Sequence, residues 1–170
     1  MKRLLAMVML MLAAAYLAFG QQQTAPPPKP GPEVQRLGSL IGTWKTDTGE
    51  KITYKWFDGG FSVIGHVENS GPEGKSTELR IITYDPDAKT YSQYRITSTG
   101  PGGTLGKGGT VSGNTWVWPV VDDAECGKSA KCRFTIVEDT PTSFNAKLEV
   151  SKGDGPSWTV TFATKGVKIK

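Results

Sequence analysis

From Leu40 to Gly166 the chain is a succession of short segments in which apolar and polar residues alternate, each closed off by Gly, Asp, Asn or Pro. A period of two, repeated with turn chemistry between the repeats, is the signature of β-strands joined by hairpins. No stretch in that span carries the i, i+3, i+4 apolar spacing of a long helix. The pattern predicts an all-β fold: a single antiparallel up-and-down β-barrel of about ten strands, preceded by a short N-terminal helical turn. A closed barrel of that size either fills with side chains or holds one small ligand.

The alternation predicts strands over 43–46, 51–57, 61–68, 78–84, 90–97, 115–121, 131–138, 143–150 and 157–164. Asp58-Gly59-Gly60 joins one hairpin; Asp85-Pro86-Asp87-Ala88-Lys89 joins another, where Pro86 presets the turn and the Asp side chains reach backbone amides. Residues 100–113 hold so many glycines that their strand is weakly specified. Pro119 implies an edge or a bulge in the strand that places Trp116, Trp118 and Val120 on one face. Before the first strand, Val34, Leu37 and Leu40 share one helical face after Pro32, and Gly38 limits that helix to one or two turns.

Lys2 and Arg3, the apolar run from Leu4 to Leu17, and Ala18-Phe19-Gly20 form the positive, apolar and small-residue parts of a secretion signal. Residues 1–20 therefore read as a signal peptide, with a mature chain beginning near Gln21. The run is shorter than the roughly 20 residues of a spanning helix, and no Cys near the cut offers a lipid anchor. The expected location is secreted or periplasmic, without stable membrane insertion after cleavage. Residues 21–32 (QQQTAPPPKPGP) form a Pro-rich disordered linker, and residues 33–170 the barrel domain. The formal charge is +4, and +2 without Lys2 and Arg3. Its basic residues are scattered rather than gathered in a stripe, which argues against nucleic acid as a partner.

Gly42-Thr43-Trp44, at the start of the first strand, resembles the Gly-x-Trp signature of the calycin superfamily, the lipocalins and fatty-acid-binding proteins. Together with Tyr54-Lys55-Trp56-Phe57-Asp58-Gly59-Gly60-Phe61 and Tyr84-Asp85-Pro86-Asp87-Ala88-Lys89-Thr90-Tyr91, it makes the chain similar to the bacterial family catalogued as domain of unknown function 1579. The similarity covers nearly all of residues 32–164. It implies a lipocalin-like barrel with Trp44 under its floor, and it implies no biochemical role. The nitrobindin group of haem-binding barrels also opens with Gly-x-Trp. Here, however, Lys45-Thr46-Asp47-Thr48-Gly49-Glu50 follows, and no His lies in the C-terminal strands. Neither haem nor any other cofactor is expected.

His66 is the sole histidine, and with Glu68 it would form the one oriented acid-base pair that the residues offer. The alternate face, Phe61, Val63, Gly65 and Val67, is the more apolar and is expected to point inward, which leaves His66 toward solvent. The opposite pleat would place His66 in the cavity. Cys126 and Cys132 are spaced as a disulfide closing a hairpin loop in an exported protein. A metal site would need more ligands than two thiols, and a redox pair normally has the Cys-x-x-Cys spacing.

Tyr54, Trp56, Tyr94, Trp116, Trp118, Phe134 and Trp158 are the candidate ligand-binding aromatics, although core filling alone accounts for most of such a set. Arg95, like Arg80, could hold a ligand carboxylate if it pointed inward, whereas a mid-strand Arg more commonly faces solvent. There is no Gly-x-Ser-x-Gly elbow, and Gly102 to Gly108 does not fit a P-loop because Gly108 follows Lys107. The resulting expectation is an exported barrel that binds a small, largely apolar molecule without catalysis and without a metal. The alternatives are an enzyme using His66 and Glu68, or a filled barrel serving as a structural or interaction module.

Overall fold

A computed structural model describes residues 29–71, 74–120, 130–152 and 157–170. The expected signal peptide, most of the linker, and Cys126 lie outside the described residues. Helix α1 (Pro32–Arg36) runs into a 3-10 turn (Leu37–Leu40). Ten strands follow: β1 (Gly42–Thr46), β2 (Lys51–Trp56), β3 (Ser62–Gly71), β4 (Gly74–Asp85), β5 (Thr90–Thr97), β6 (Gly103–Ser112), β7 (Thr115–Val120), β8 (Ala130–Thr140), β9 (Ser143–Lys152) and β10 (Thr159–Lys168).

Each strand pairs with its neighbours in the chain, and β1 closes on β10, so the sheet is one closed antiparallel barrel. Among the described residues every strand has a neighbour on both sides, although β6 and β7 pair only over Thr110–Ser112 and Thr115–Val117. At the β4–β5 turn, the Asp85 carboxylate accepts the N–H groups of Asp87 and Ala88, both at 3.0 Å. The glycine-rich β6 is a strand, with a register shift where it passes β5 between Tyr91 and Gln93.

Alternation sorts the side chains into two faces, and the register fixes which is which. Trp44 lies opposite Ile52, Tyr54 opposite Gly65, Val63 opposite Ile82, and Trp118 opposite Phe134, all on the inner face. Glycines make room for aromatics there, as Gly166 does for Phe144. A Cβ on Gly109 would lie 2.5 Å from the Trp118 ring, and one on Gly65 would collide with the Tyr54 ring.

One end of the barrel is plugged by the N-terminal segment. Pro32 occupies the first turn of α1, where its missing N–H costs nothing, and Gly31 caps it in extended conformation. Leu37 is fully buried in the same core cluster as Val63, Ile82, Tyr91 and Trp116, a burial worth roughly 1.5–3 kcal/mol. Polar contacts hold the plug in place. Glu138 at the end of β8 accepts from Arg36 (2.6 and 3.1 Å), Ser39 (2.7 Å) and the Trp116 indole (2.9 Å). The Tyr91 hydroxyl donates to the Glu33 carbonyl at 2.8 Å. Burial pushes the Glu138 carboxyl up, but the bonds from Arg36, Ser39 and Trp116 outweigh it and hold the group below the ordinary carboxylate range.

Candidate functional site

The interior is not filled. A cavity of 780 Å³ runs toward the end opposite the plug, and a lobe of 320 Å³ lies beneath the plug. The two share Leu40, Glu50, Tyr54, Arg80, Phe134, Ile136 and Thr164 as walls. Each volume by itself falls within the roughly 300–1,000 Å³ of small-molecule pockets.

Strands β7 to β10 supply an apolar wall of Trp116, Trp118, Phe134, Ile136, Leu148 and Phe162. The indoles of Trp116 and Trp118 lie parallel with centroids 6.2 Å apart, and Tyr91 meets Trp116 edge-on at 5.0 Å. Their order comes from the strand itself, since residues two apart stand side by side on one face.

Strands β2, β4 and β5 supply the opposite wall, and it is charged. Gly65 has no side chain, so its neighbours across the ladders, Tyr54 and Arg80, meet over it, with Nη1 of Arg80 3.4 Å from the Tyr54 hydroxyl. Arg80 also donates from Nε to Glu78 and from Nη2 to Glu50 at 3.1 Å. Arg95, directly opposite Arg80 on β5, donates to the other Glu78 oxygen at 2.9 Å. The Glu78 side chain is only 5% exposed. Burial pushes its carboxyl up, yet the charges of Arg80 and the bond from Arg95 prevail and hold it below the ordinary range. Removing one member would strand its partner's charge in a poorly solvated site, which is far more costly than the assembled cluster.

Of the residues singled out from the sequence, Tyr54, Arg95, Trp116, Trp118 and Phe134 line the cavity. Three others do not. Tyr94 is on the outer face, 38% exposed between Ile81 and Leu105, because its neighbour Arg95 points inward and adjacent strand residues take opposite faces. Trp158 precedes β10 on the outside, with the Arg133 guanidinium 4.2 Å over its ring. A register shift between Val160 and Phe162 moves the residues before it to the outer face, so Trp158 and Phe162 part company despite their even spacing. Trp56, at the end of β2, lies beside Gly38 of the plug and is 39% exposed.

His66 and Glu68 also face out. His66 sits between Thr53 and Leu79 on the outer surface, and Glu68 is paired with Lys51 at 3.0 Å. Cys132 is buried on β8 opposite Val120 and Val150. Among the described residues, no group of three or more His, Cys, Asp and Glu side chains could hold a metal ion, and no helix is long and apolar enough to cross a membrane.

The residues that sequence reasoning missed are Glu50, Glu78 and Gln93, together with the inward direction of Arg80. A signal existed on β4: Ile82 is in phase with Glu78 and Arg80, and Ile82 lies opposite the fully buried Val63. No protein-family model matches the chain, and no curated protein is significantly similar to it.

Proposed function

We propose that the protein is an exported, lipocalin-like carrier or sensor that binds one small, largely apolar molecule inside its barrel, without catalysing a reaction. The observation that carries this reading is the 780 Å³ cavity walled by Trp116, Trp118, Phe134 and Leu148 on one side and by polar groups on the other. A cavity with an apolar body and a few convergent polar groups is the usual form of a small-molecule site. Export rests on Lys2, Arg3, the Leu4–Leu17 run and Ala18-Phe19-Gly20, and with it goes the proposed disulfide between Cys126 and Cys132. Kinship with the calycins rests on Gly42-Thr43-Trp44, whose tryptophan is buried at the plug. The outer-face position of His66 and Glu68 gives the enzymatic alternative no support.

Native mass spectrometry of protein purified from its own host tests the binding reading. A stoichiometric small molecule, lost on denaturation, is the expected result. A ligand-free protein whose tryptophan fluorescence ignores a neutral apolar dye such as N-phenyl-1-naphthylamine would overturn it.

A further inference from the structure

Among the described residues, the charges on this wall of the cavity come in equal number. Glu50 and Glu78 supply two carboxylates, and Arg80 and Arg95 supply two guanidiniums. All three nitrogens of Arg80 are engaged, by Glu78, Tyr54 and Glu50. Both oxygens of Glu78 are engaged as well, by Arg80 and Arg95. An incoming carboxylate would meet Glu78 and Glu50 along with the arginines, and would add an uncompensated charge to a poorly solvated wall.

Uncharged polar groups line the same cavity. Gln93 lies on the inner face opposite Ile82, Thr104 opposite Arg95, and Asn69 two residues beyond the buried Val67. None of the three side chains makes a hydrogen bond among the described residues. Tyr54 accepts from Arg80, which leaves its own proton free to be donated. Together they offer donors and acceptors to a neutral head in the same cavity as the Trp118 and Phe134 side chains that would take an apolar chain.

Resting on the ligand-binding reading above, we propose that the cavity selects amphiphiles with an uncharged, hydrogen-bonding head, such as a primary amide or an alcohol, over the same chain ending in a free carboxylate. Gln93 is the side chain that reads the head, and the balanced cluster of Glu50, Glu78, Arg80 and Arg95 excludes the anion. Lys168, whose Nζ lies 4.9 Å over the Trp44 ring on the smaller lobe, is the cation where a carboxylate could settle instead.

Displacement of N-phenyl-1-naphthylamine by decanamide and by decanoate at neutral pH tests the proposal. Decanamide is expected to displace the dye at a concentration at least about tenfold lower, equivalent to about 1.4 kcal/mol. Gln93→Leu should cut that advantage, and Glu50→Gln should raise the affinity for decanoate relative to that for decanamide, each with the circular dichroism of the parent. The wild-type comparison stands without either variant. Equal or tighter binding of decanoate would overturn head-group selection and leave the binding cavity standing; its loss in Lys168→Ala would place the head in the smaller lobe. Preference unchanged in both variants would overturn the assignment to Gln93 and the cluster. Failure of the dye and both amphiphiles to bind would overturn the cavity reading itself.

Discussion

Trp44 is held from three sides. Its indole donates to the Leu40 carbonyl at 2.7 Å, Phe144 packs against it at 5.4 Å, and the Lys168 ammonium caps its face. Trp44→Ala should cost roughly 3–5 kcal/mol, as for other large buried aromatics, measured by urea denaturation. A change within about 0.5 kcal/mol, typical of exposed sites, would contradict that packing. Glu149 is a second single residue with a measurable signature. On the outer face it accepts from Arg133 (2.9 Å), Lys147 (3.0 Å) and Thr135 (3.1 Å), and its carboxyl falls from 4.5 to about 2, chiefly through the Arg133 bond. A folded-state value below the unfolded one adds stability above pH 4.5 that is lost as the pH falls toward 2. Melting temperatures taken across that window should drop steeply in the parent and less steeply in Glu149→Gln. Parallel curves would show that the carboxylate is not responsible. Trp44 was legible in the sequence because a local motif marked it. Glu149 was not, since its partners come from β8 and from elsewhere on β9 and are brought together only by the register.

At the scale of elements, the order of the strands followed from alternation and turn residues, but β4 begins four residues earlier and β10 ends four residues later than alternation predicts, and the choice of face did not always follow. Along β4 and β5 the apolar Leu79, Ile81, Tyr94 and Ile96 point outward while Glu78, Arg80, Gln93 and Arg95 point inward, the reverse of simple patterning. The buried Val63 and Val67 of β3 lie opposite Ile82 and Glu78, and a shift by one residue would flip them into solvent; neighbouring register therefore overrides local polarity. Strand β10 failed for a different reason. Its register shift is a backbone feature that residue types in Val160-Thr161-Phe162 do not announce. The plug is the element most easily tested. Glu138→Ala removes the acceptor shared by Arg36, Ser39 and Trp116, and should destabilise the fold by roughly 1.5–3 kcal/mol, the worth of a hydrogen bond to a charged group. Protection of the Leu37 and Ile41 amides in hydrogen exchange should fall with it. Unchanged protection would mean that apolar burial alone seats the plug.

For the whole molecule, the barrel class was legible because ten short alternating segments without a long helix leave few other architectures. The open interior was not, because a hollow barrel and a filled one share the same pattern of inward aromatics. Closure has a kinetic consequence. Every strand interface but one joins consecutive segments, so most of the sheet can form by zipping hairpins over short loops. The pairing of β1 with β10 alone spans the length of the domain and carries the largest loop-closure entropy. Thr164 bonds Asp47 at 2.7 Å and Thr48 at 3.2 Å across that seam. If the seam forms after the rate-limiting barrier, Thr164→Val should speed unfolding in stopped-flow experiments and leave the refolding limb of the chevron unmoved. A slowed refolding limb would instead mean that the two ends of the domain meet early, and that the chain folds as a ring from the start.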